Sequence, residues 1–491
     1  MGRMACGLIM MLGLARLALG LWLGFRPFDD TYITFRYALN LASGYGLVYN
    51  VGERVLGTTA PLWALVLATV RVAHAPMELG AIVLSLALDV ASALLLFRLL
   101  LRLEYSVSTG LAAAVLFLTF FDYFSLARSG METSCFVFLT VAVLESACSH
   151  RFTAAATCCA LACLARPEGA VLVVVLMLAL WRARTMLRLR EVMVCLAPLF
   201  LVLGGWAAYA LGAYGSIVPQ SVMAKAASSG DPGLRLFSWE NLALFFLKGQ
   251  YGGEIFTRTY VQMMPAITLL SAAAAAGLLL ALVRGRSDKA VIRALALLLF
   301  PVCFVAGLAL SGAFTFFPWY YGPIYPFAAA LAMVGASTLS QGNVRVSGAV
   351  CTLLVCAQIA SAVLVKLPGD RTFWVEGYSE VAEVVPRDFR LRVAAPEIGT
   401  VGWKVWPATV LDLAGLVTPD AVGVPADLYI RSAKPDYLIV RTDNAADLLA
   451  RVAGQHWFTA GYELAAVRRD PHAEREFRAY RRLSGAAFSG R

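Results

Sequence analysis

Two adjacent carboxylates, Asp29 and Asp30, follow the first apolar segment of the chain, and Arg36 comes shortly after them. Paired acids can coordinate a divalent cation, or one of them can act as a general base because its neighbour's charge raises its pKa. Arg36 can pair with such an acid or with a phosphate oxygen. The alternative is structural, since Asp30 can cap a helix over residues 31–40. Spacing alone leaves both interpretations open.

The composition excludes a soluble enzyme. Of the 491 residues, 60% are hydrophobic and 15% are charged, whereas soluble domains are about 45–50% apolar and about 25% charged. The net charge of +10 lies entirely in residues 1–366, because the later residues hold equal numbers of acids and bases. A basic excess among apolar segments is typical of membrane orientation, not of nucleic-acid binding. The 10 cysteines form no CxxC pair and the chain has 4 histidines, so any bound metal would use carboxylates.

Apolar runs of sufficient length predict eleven transmembrane helices. A twelfth apolar run, 58–73, is assigned to an amphipathic helix at the outer interface, because the basic residues of the short connections then all lie on one face. The positive-inside rule puts that face and the N-terminus in the cytoplasm, and the C-terminus outside. The predicted spans are 5–25, 79–101, 107–122, 133–149, 152–166, 168–183, 191–212, 260–283, 292–312, 322–340 and 346–366.

In the predicted topology, the long polar segments lie on the outer face of the membrane. Nucleotide-activated substrates stay in the cytoplasm, so chemistry on the outer face indicates a lipid-carried substrate. The sequence therefore predicts a multi-pass protein of the cytoplasmic membrane with an extracytoplasmic active site. The outer polar segments are 26–78, 122–132, 213–259, 313–321 and the tail after 366.

Residues 29–63 read DDTYITFRYALNLASGYGLVYNVGERVLGTTAPLW. This segment closely resembles the first periplasmic loop of the GT-C membrane glycosyltransferases. It is most similar to the polyprenyl-phosphate-dependent branch that includes arabinofuranosyltransferases and mannosyltransferase-like enzymes. The resemblance implies catalytic acids at the Asp pair and donor or acceptor contacts at Asn50 and Glu53. Leu56 stands where the family pattern usually has an acid.

Two later motifs, RSGMET and RPEG, resemble the same family. In the first, the resemblance makes Glu132 a candidate metal ligand or donor-phosphate neighbour and Arg128 a candidate phosphate contact. Glu132 can instead complement a helix dipole. In the second, it makes Arg166 a phosphate contact and Glu168 a donor or acceptor contact, although the two can form an ion pair within a turn.

Two further segments complete the resemblance. YGSIVPQSVMAK has Gln220 where the family usually has Asn, and ends in Lys225, which can bind the donor phosphate as a point charge or lie at headgroup level. In FFPWYYGP, the family pattern brings Trp319, Tyr320 or Tyr321 beside a sugar or a prenyl chain. The aromatic belt of a membrane interface has the same composition.

The tail is soluble in composition and predicts a small extracytoplasmic α/β domain. It has no nucleophile–base pair and no glycine-rich phosphate loop, so acceptor binding or packing is its expected role. The predicted domains are a transmembrane GT-C core at 1–366, whose first outer loop at 26–78 carries the acid pair, and the domain at 367–491. Predicted strands are 391–395, 408–413, 436–441 and 462–468, and predicted helices are 375–385, 425–433 and 443–454.

The resemblance implies a glycosyltransferase of cell-envelope biosynthesis. It would transfer a hexosyl or pentosyl group from a polyprenyl-phosphate donor to an extracytoplasmic glycan, lipid or protein by single displacement. Asp29 or Asp30 would deprotonate or orient the acceptor hydroxyl. The leaving phosphate would be stabilised by basic residues drawn from Arg36, Arg128, Arg166 and Lys225.

A cofactor and a rival function stay open at this point. Mg²⁺, Mn²⁺ or Ca²⁺ could be held by oxygen ligands from Asp29, Asp30 and Glu132. The alternative function is a transporter or flippase of lipid-linked sugars, which would carry charged residues in midplane helices. The acids gather in outer loops instead, apart from Asp89, for which Arg16 is the candidate partner.

Overall fold

The computed structural model describes residues 2–185, 187–228, 264–283, 288–311, 318–363, 373–470 and 475–483. The chain forms two compact units. Unit 1 comprises Met1–Arg26, Glu78–Trp206 and Arg235–Asp370, and unit 2 comprises Pro27–Met77, Ala207–Leu234 and Arg371–Arg491. The predicted outer segments 213–259 and 313–321, and the beginning of the predicted span 260–283, fall partly outside the described residues.

Helices account for the apolar part of the chain. Long stretches rich in Leu, Ala and Val favour helices, and only a helix can satisfy every backbone polar group within a single segment in lipid. In chain order they are α1 (Gly2–Leu23), α2 (Asp29–Ala42), α3 (Pro61–Val72), α4 (Met77–Arg102), α5 (Val107–Thr119), α6 (Phe121–Ala127), α7 (Thr133–Cys148), α8 (Phe152–Ala165), α9 (Ala170–Arg182), α10 (Leu189–Tyr214), α11 (Gln220–Ser228), α12 (Met264–Val283), α13 (Asp288–Ala294), α14 (Phe300–Ser311), α15 (Tyr325–Leu339) and α16 (Val344–Ser361). The π-helical segment Leu295–Leu299 joins α13 to α14.

Among the residues that the structure describes, five helical segments are long and apolar enough to cross a membrane, and α5 with α6 forms a sixth candidate that is bent by 62°. Shorter apolar helices occupy three more of the predicted intervals, at α7, α8 and Val344–Ala360. Length and composition thus support a multi-pass membrane protein, while the count of eleven spans stays a prediction. The five segments are Gly2–Leu23, Met77–Arg102, Leu189–Tyr214, Val291–Leu308 and Gly322–Leu339.

The run at 58–73 forms α3, a helix of 12 residues that belongs to unit 2. At about 1.5 Å per residue it is far shorter than the roughly 30 Å of hydrocarbon that a span must cross. The structure thus has a short helix at this position, and that it does not span the membrane stays a prediction. Its location at the outer interface stays a prediction.

An intramembrane ion pair lies within unit 1. Arg16 of α1 donates to a carboxylate oxygen of Asp89 on α4 at 2.9 Å, and the Tyr123 hydroxyl donates to the other oxygen at 2.8 Å. The Arg16 guanidinium also lies over the Phe124 ring, 4.7 Å from its centroid. The predicted partnership of Arg16 and Asp89 is confirmed, and its contacts are those of a packing pair.

The C-terminal part of unit 2 is an α/β domain, as predicted. Its sheet has the order β2-β1-β3-β5-β4, with β1, β2 and β3 parallel and β5 antiparallel to both neighbours. Side chains such as Ile430, Leu438 and Trp457 form its apolar core. The elements are α17 (Phe373–Ala382), β1 (Arg392–Ala395), α18 (Gly399–Lys404), β2 (Thr409–Asp412), α19 (Ala426–Ala433), β3 (Tyr437–Arg441), α20 (Ala446–Ala453), α21 (His456–Thr459), β4 (Tyr462–Arg469) and β5 (Glu476–Arg482).

Sequence reasoning found four of these strands and missed β5. Arginines take up much of β5, and only alternate positions such as Phe477 and Ala479 are buried. Arg481 pairs across the strands with Glu463. β5 is thus paired on both sides although it carries many charged side chains, and a strand with so many charges is difficult to predict from the sequence.

Candidate active site

The acid pair opens α2 in unit 2. Phe28, not Asp30, is the residue before the helix, and its backbone N–H donates to the Thr31 hydroxyl at 3.2 Å. Asp29 and Asp30 therefore lie in the first helical turn, where carboxylates are stabilised by the helix dipole. The predicted helix exists, but it begins two residues earlier than the capping interpretation of Asp30 requires.

The two aspartates have different surroundings. The Asp29 carboxylate accepts hydrogen bonds from the backbone N–H of Gly399 at 2.8 Å and of Thr400 at 2.7 Å. These amides begin α18, so Asp29 satisfies donors at the N-terminus of a helix that is remote in sequence. A Cβ atom at Gly399 would overlap the Asp29 carbonyl oxygen. Only glycine permits this approach.

Asp30 accepts no hydrogen bond from any residue that the structure describes. Burial raises the pKa of its carboxyl group, the positive charge of Lys225 opposes that rise, and the negative charge of Asp29 adds to it. Burial also raises the pKa of Asp29, with the amides of Thr400 and Gly399 acting against it. A carboxylate with raised pKa, a cation nearby and its oxygens uncommitted can accept a proton from a substrate hydroxyl.

Arg36 is a buried structural residue. Its Nε donates to the carbonyl of Tyr49 at 2.7 Å, and its terminal nitrogens donate to the carbonyls of Gly402 and Ala408 and to Asn50 Oδ1. The side chain has no exposed surface. A donor phosphate could reach it only by breaking these contacts, so this geometry does not support its predicted role as a phosphate contact.

Asn50 and Glu53 also support the loop. Asn50 exchanges hydrogen bonds with the backbone of Val410 on β2, at 2.9 Å in each direction, and donates to Glu53 at 2.9 Å. Asn50 is buried and Glu53 is half-buried. The structure therefore commits Asn50 to anchoring the loop, and the predicted donor or acceptor contact would have to come from Glu53.

Leu56 and Gln220, the two positions that depart from the family pattern, are in contact in the structure. The Gln220 backbone N–H donates to the carbonyl of Leu56 at 2.6 Å, and the Gln220 side chain donates to the carbonyl of Gly415 at 3.1 Å. Leu56 is 3% exposed, a position where an unpaired acid would be costly. This contact fixes the start of α11, the helix that carries Lys225.

A second set of predicted residues lies in unit 1 around Arg166. Its guanidinium donates to the carbonyl of Trp319 at 3.0 Å and pairs with Glu168 at 3.3 Å and Glu132 at 3.7 Å. It also lies 5.4 Å from the centroid of the Tyr320 ring. The ion pair proposed within the turn is thus present, and Glu132 shares the same cation.

Arg128 and Tyr321 are both buried within unit 1. Arg128 is 2% exposed and donates to the carbonyls of Gly24 at 2.9 Å and Leu23 at 3.2 Å, the residues that follow and end α1. Tyr321 is fully buried, whereas Tyr320 is half-buried. Of the predicted aromatic contacts, only Tyr320 therefore presents surface that a ligand could stack on.

The predicted cation ligands fit a metal poorly. Both oxygens of Asp29 accept backbone amides, and Glu132 faces the Arg166 cation. Within the described ranges, no group of three or more His, Cys, Asp or Glu side chains is arranged to hold a metal ion. The positive charge next to Asp30 comes from Lys225.

The structure adds residues that sequence reasoning missed. Glu397 follows β1, accepts a hydrogen bond from Asn444 at 2.5 Å and pairs with Arg441, the last residue of β3, at 3.4 Å. Burial raises the pKa of Glu397 to about 7, Asp29 adds to the rise, and Arg441 opposes it. β1 and β3 are parallel neighbours, and ligands of α/β sheets gather at the carboxyl ends of such strands. Glu397 and Arg441 could have been found from the sequence, because both are charged residues at or just after the ends of predicted strands.

Comparison with known proteins bears on the fold. Residues 375–484 match a family described as a domain of unknown function, DUF8728. Comparison with curated proteins gives no match. The crystal structure of ArnT from Cupriavidus metallidurans bound to undecaprenyl phosphate is similar over 99% of this chain and 98% of that chain, with a TM-score of 0.57 and 12% identity.

The apo structure of the same ArnT gives a TM-score of 0.52 at 13% identity, again covering 99% of this chain and 98% of that chain. The likeness shows that the chain has an ArnT-like fold. Identities this low show the fold alone.

Proposed function

We propose that the protein is a membrane glycosyltransferase that takes a sugar from a polyprenyl-phosphate donor and transfers it to an extracytoplasmic acceptor. The ArnT-like fold over the whole chain supports this class, because one of the similar ArnT structures holds undecaprenyl phosphate. The observation that carries the proposal is the environment of Asp30: it is half-buried, has no hydrogen-bond donor among the described residues, and feels the positive charge of Lys225.

Asp30 is the general base of the proposed reaction. It removes the proton from the acceptor hydroxyl as that oxygen attacks the anomeric carbon, and the sugar–phosphate bond breaks on the opposite face. The pKa raised by burial makes this carboxylate a stronger base than an exposed one. Asp29 is a positioning residue, since its oxygens are held by Gly399 and Thr400.

Lys225 supplies positive charge for the leaving phosphate. Its half-buried ammonium acts as a point charge, so it can follow the phosphate as negative charge builds up on it. Among the other predicted phosphate contacts, Arg36 and Arg128 are committed to backbone carbonyls. Arg166 shares its charge with Glu132 and Glu168.

The finer identity of the enzyme rests on the segment at 29–63. We place the protein in the polyprenyl-phosphate branch with arabinofuranosyltransferases and mannosyltransferase-like enzymes, acting on a hexose or pentose in cell-envelope biosynthesis. The N-terminus lies in the cytoplasm, and the acid pair and the C-terminal domain lie outside. The proposed reaction uses no Mg²⁺, Mn²⁺ or Ca²⁺, because both Asp29 carboxylate oxygens already accept hydrogen bonds from backbone amides.

The test is sugar transfer by the purified full-length protein in proteoliposomes, with a panel of radiolabelled polyprenyl-phosphate sugars and a crude envelope acceptor. We expect Asp30→Asn to lower kcat by about 10²- to 10⁴-fold, the usual contribution of a general base. Lys225→Gln should also lower kcat, whereas the exposed Glu383→Gln should not. Label that crosses the bilayer on an intact carrier would instead establish the transporter.

A further inference from the structure

A cavity of about 510 Å³ lies within unit 2, and neither Asp30 nor Lys225 lines it. One wall is the loop after α2, and the other is the last turns of α10. Its lining combines three tyrosines, one arginine and small residues: Tyr45, Gly46, Leu47, Val48, Arg54, Ala208, Tyr209, Gly212, Ala213 and Tyr214.

The position of α10 indicates the depth of the cavity in the membrane. This helix has 26 residues, and 6% of its most apolar stretch is buried within the protein, so most of its side chains are half-buried or exposed. At about 1.5 Å per residue it is longer than the roughly 30 Å hydrocarbon core, and its last turns extend to headgroup level. Tyr209 and Tyr214 lie at that end, where interfacial tyrosines concentrate.

The residues after α10 continue this apolar surface. Ile217 and Val218 are 52% and 42% exposed, and Val222 and Met223 on α11 are 40% and 44% exposed. Four exposed aliphatic side chains in seven residues form an amphipathic segment of the kind that lies in a membrane interface. The cavity therefore adjoins lipid on this side of unit 2.

The polar lining of the cavity matches an anion. Arg54 is exposed and forms no ion pair or hydrogen bond with any residue in the described part of the chain. The Tyr214 hydroxyl donates to the carbonyl of Leu47 at 2.7 Å and lies 3.4 Å from the Tyr209 hydroxyl. An arginine that has no counter-ion among the described residues, set among tyrosines at headgroup depth, attracts the phosphate of an anionic lipid.

We propose that this cavity binds the headgroup of an anionic phospholipid of the surrounding bilayer, with Arg54 contacting the phosphate and the exposed face of α10 receiving the acyl chains. The small residues Ala208 and Gly212 leave room for the lipid on that face. Such a site would hold the first outer loop at a fixed depth. It is independent of the proposed transferase activity.

The test is retention of phosphatidylglycerol by the full-length protein, measured by native mass spectrometry and by titration in nanodiscs. We expect Arg54→Gln to weaken phosphatidylglycerol binding about fivefold, the effect of one basic residue near an anionic surface. The matched control is Arg387→Gln, an exposed arginine of unit 2 without a partner among the described residues. It should change nothing.

A second pair of variants tests the cavity by shape. A Cβ atom meets nothing within 4 Å at Gly212 or at Gly205, so leucine at either position should leave the fold intact. Gly212→Leu fills the cavity and should reduce phosphatidylglycerol retention, whereas Gly205→Leu, earlier on α10, should not. Unchanged retention in both Arg54→Gln and Gly212→Leu would overturn the proposal. Equal retention of phosphatidylcholine, or retention of polyprenyl phosphate in place of phosphatidylglycerol, would also overturn it.

Discussion

Asp29→Asn tests whether this carboxylate anchors α18. In the native protein both oxygens accept buried backbone amides, at 2.8 Å from Gly399 and 2.7 Å from Thr400. Asparagine keeps one oxygen and turns its NH₂ group toward the other amide. One buried donor then loses its acceptor, which costs about 1–3 kcal/mol, and the remaining bond loses its charge assistance. We expect the free energy of unfolding to fall by about 2–4 kcal/mol.

The assay combines thermal unfolding in detergent with hydrogen exchange of peptides that cover residues 397–404. Asp29→Asn should unfold at a lower temperature, and the amides of Gly399 and Thr400 should exchange faster. Asp30→Asn is the matched control, because it removes the same charge one residue away without removing a described hydrogen bond. Because burial raises the pKa of Asp30, its negative charge does not stabilise the fold at neutral pH, so Asp30→Asn should be at least as stable as the wild type.

Two results would refute this reasoning. If the 399–400 amides keep their protection in Asp29→Asn, the hydrogen bonds do not anchor α18. If Asp30→Asn unfolds as early as Asp29→Asn, then charge and not hydrogen bonding sets the stability of this turn. A full loss of transfer by Asp29→Asn with unchanged stability would make Asp29, and not Asp30, the base.

Three further predictions concern buried charged groups. Arg36→Lys should lower the free energy of unfolding by at least about 3 kcal/mol, because a lysine cannot serve all the oxygens that now accept from the guanidinium; denaturation in detergent would measure it. Asp89→Asn should destabilise by about 3–5 kcal/mol in the same measurement, since it leaves Arg16 buried without its partner, and replacing both residues with apolar ones should restore most of the loss. Burial raises the pKa of Asp412 to about 6, against hydrogen bonds from backbone amides, so its stabilising effect is present below pH about 4 and is lost as the pH rises through 6. Asp412→Asn should flatten that part of a plot of melting temperature against pH, and an unchanged slope would contradict the shift.

Much of the secondary structure followed from local pattern. Apolar runs predicted helices at positions such as α4 and α10, because a long apolar segment has no other way to satisfy its backbone in lipid. The strands β1 to β4 followed from short apolar runs between turn residues. β5 escaped because its outward positions carry arginines that are balanced by acids on neighbouring elements, such as Glu463.

The candidate site, too, was predicted only in part from the sequence. Residue types and the motif at 29–63 pointed to the acid pair, and the segment at 214–225 pointed to Lys225. They also pointed to Arg36 and Asn50, whose side chains the structure commits to backbone groups of unit 2. A motif shows which residues stand together in sequence, whereas the partner of a buried polar group is set by chain that arrives from elsewhere.

The sequence by itself determined the class of protein, the apolar helices, the α/β tail and the short list of charged residues, because composition and periodicity act locally. Only the tertiary structure distinguished the surroundings of the two aspartates. The amides that hold Asp29 come from Gly399 and Thr400, 370 and 371 residues further along the chain. No local pattern specifies a hydrogen bond over that separation, and it leaves Asp30 as the carboxylate available for chemistry.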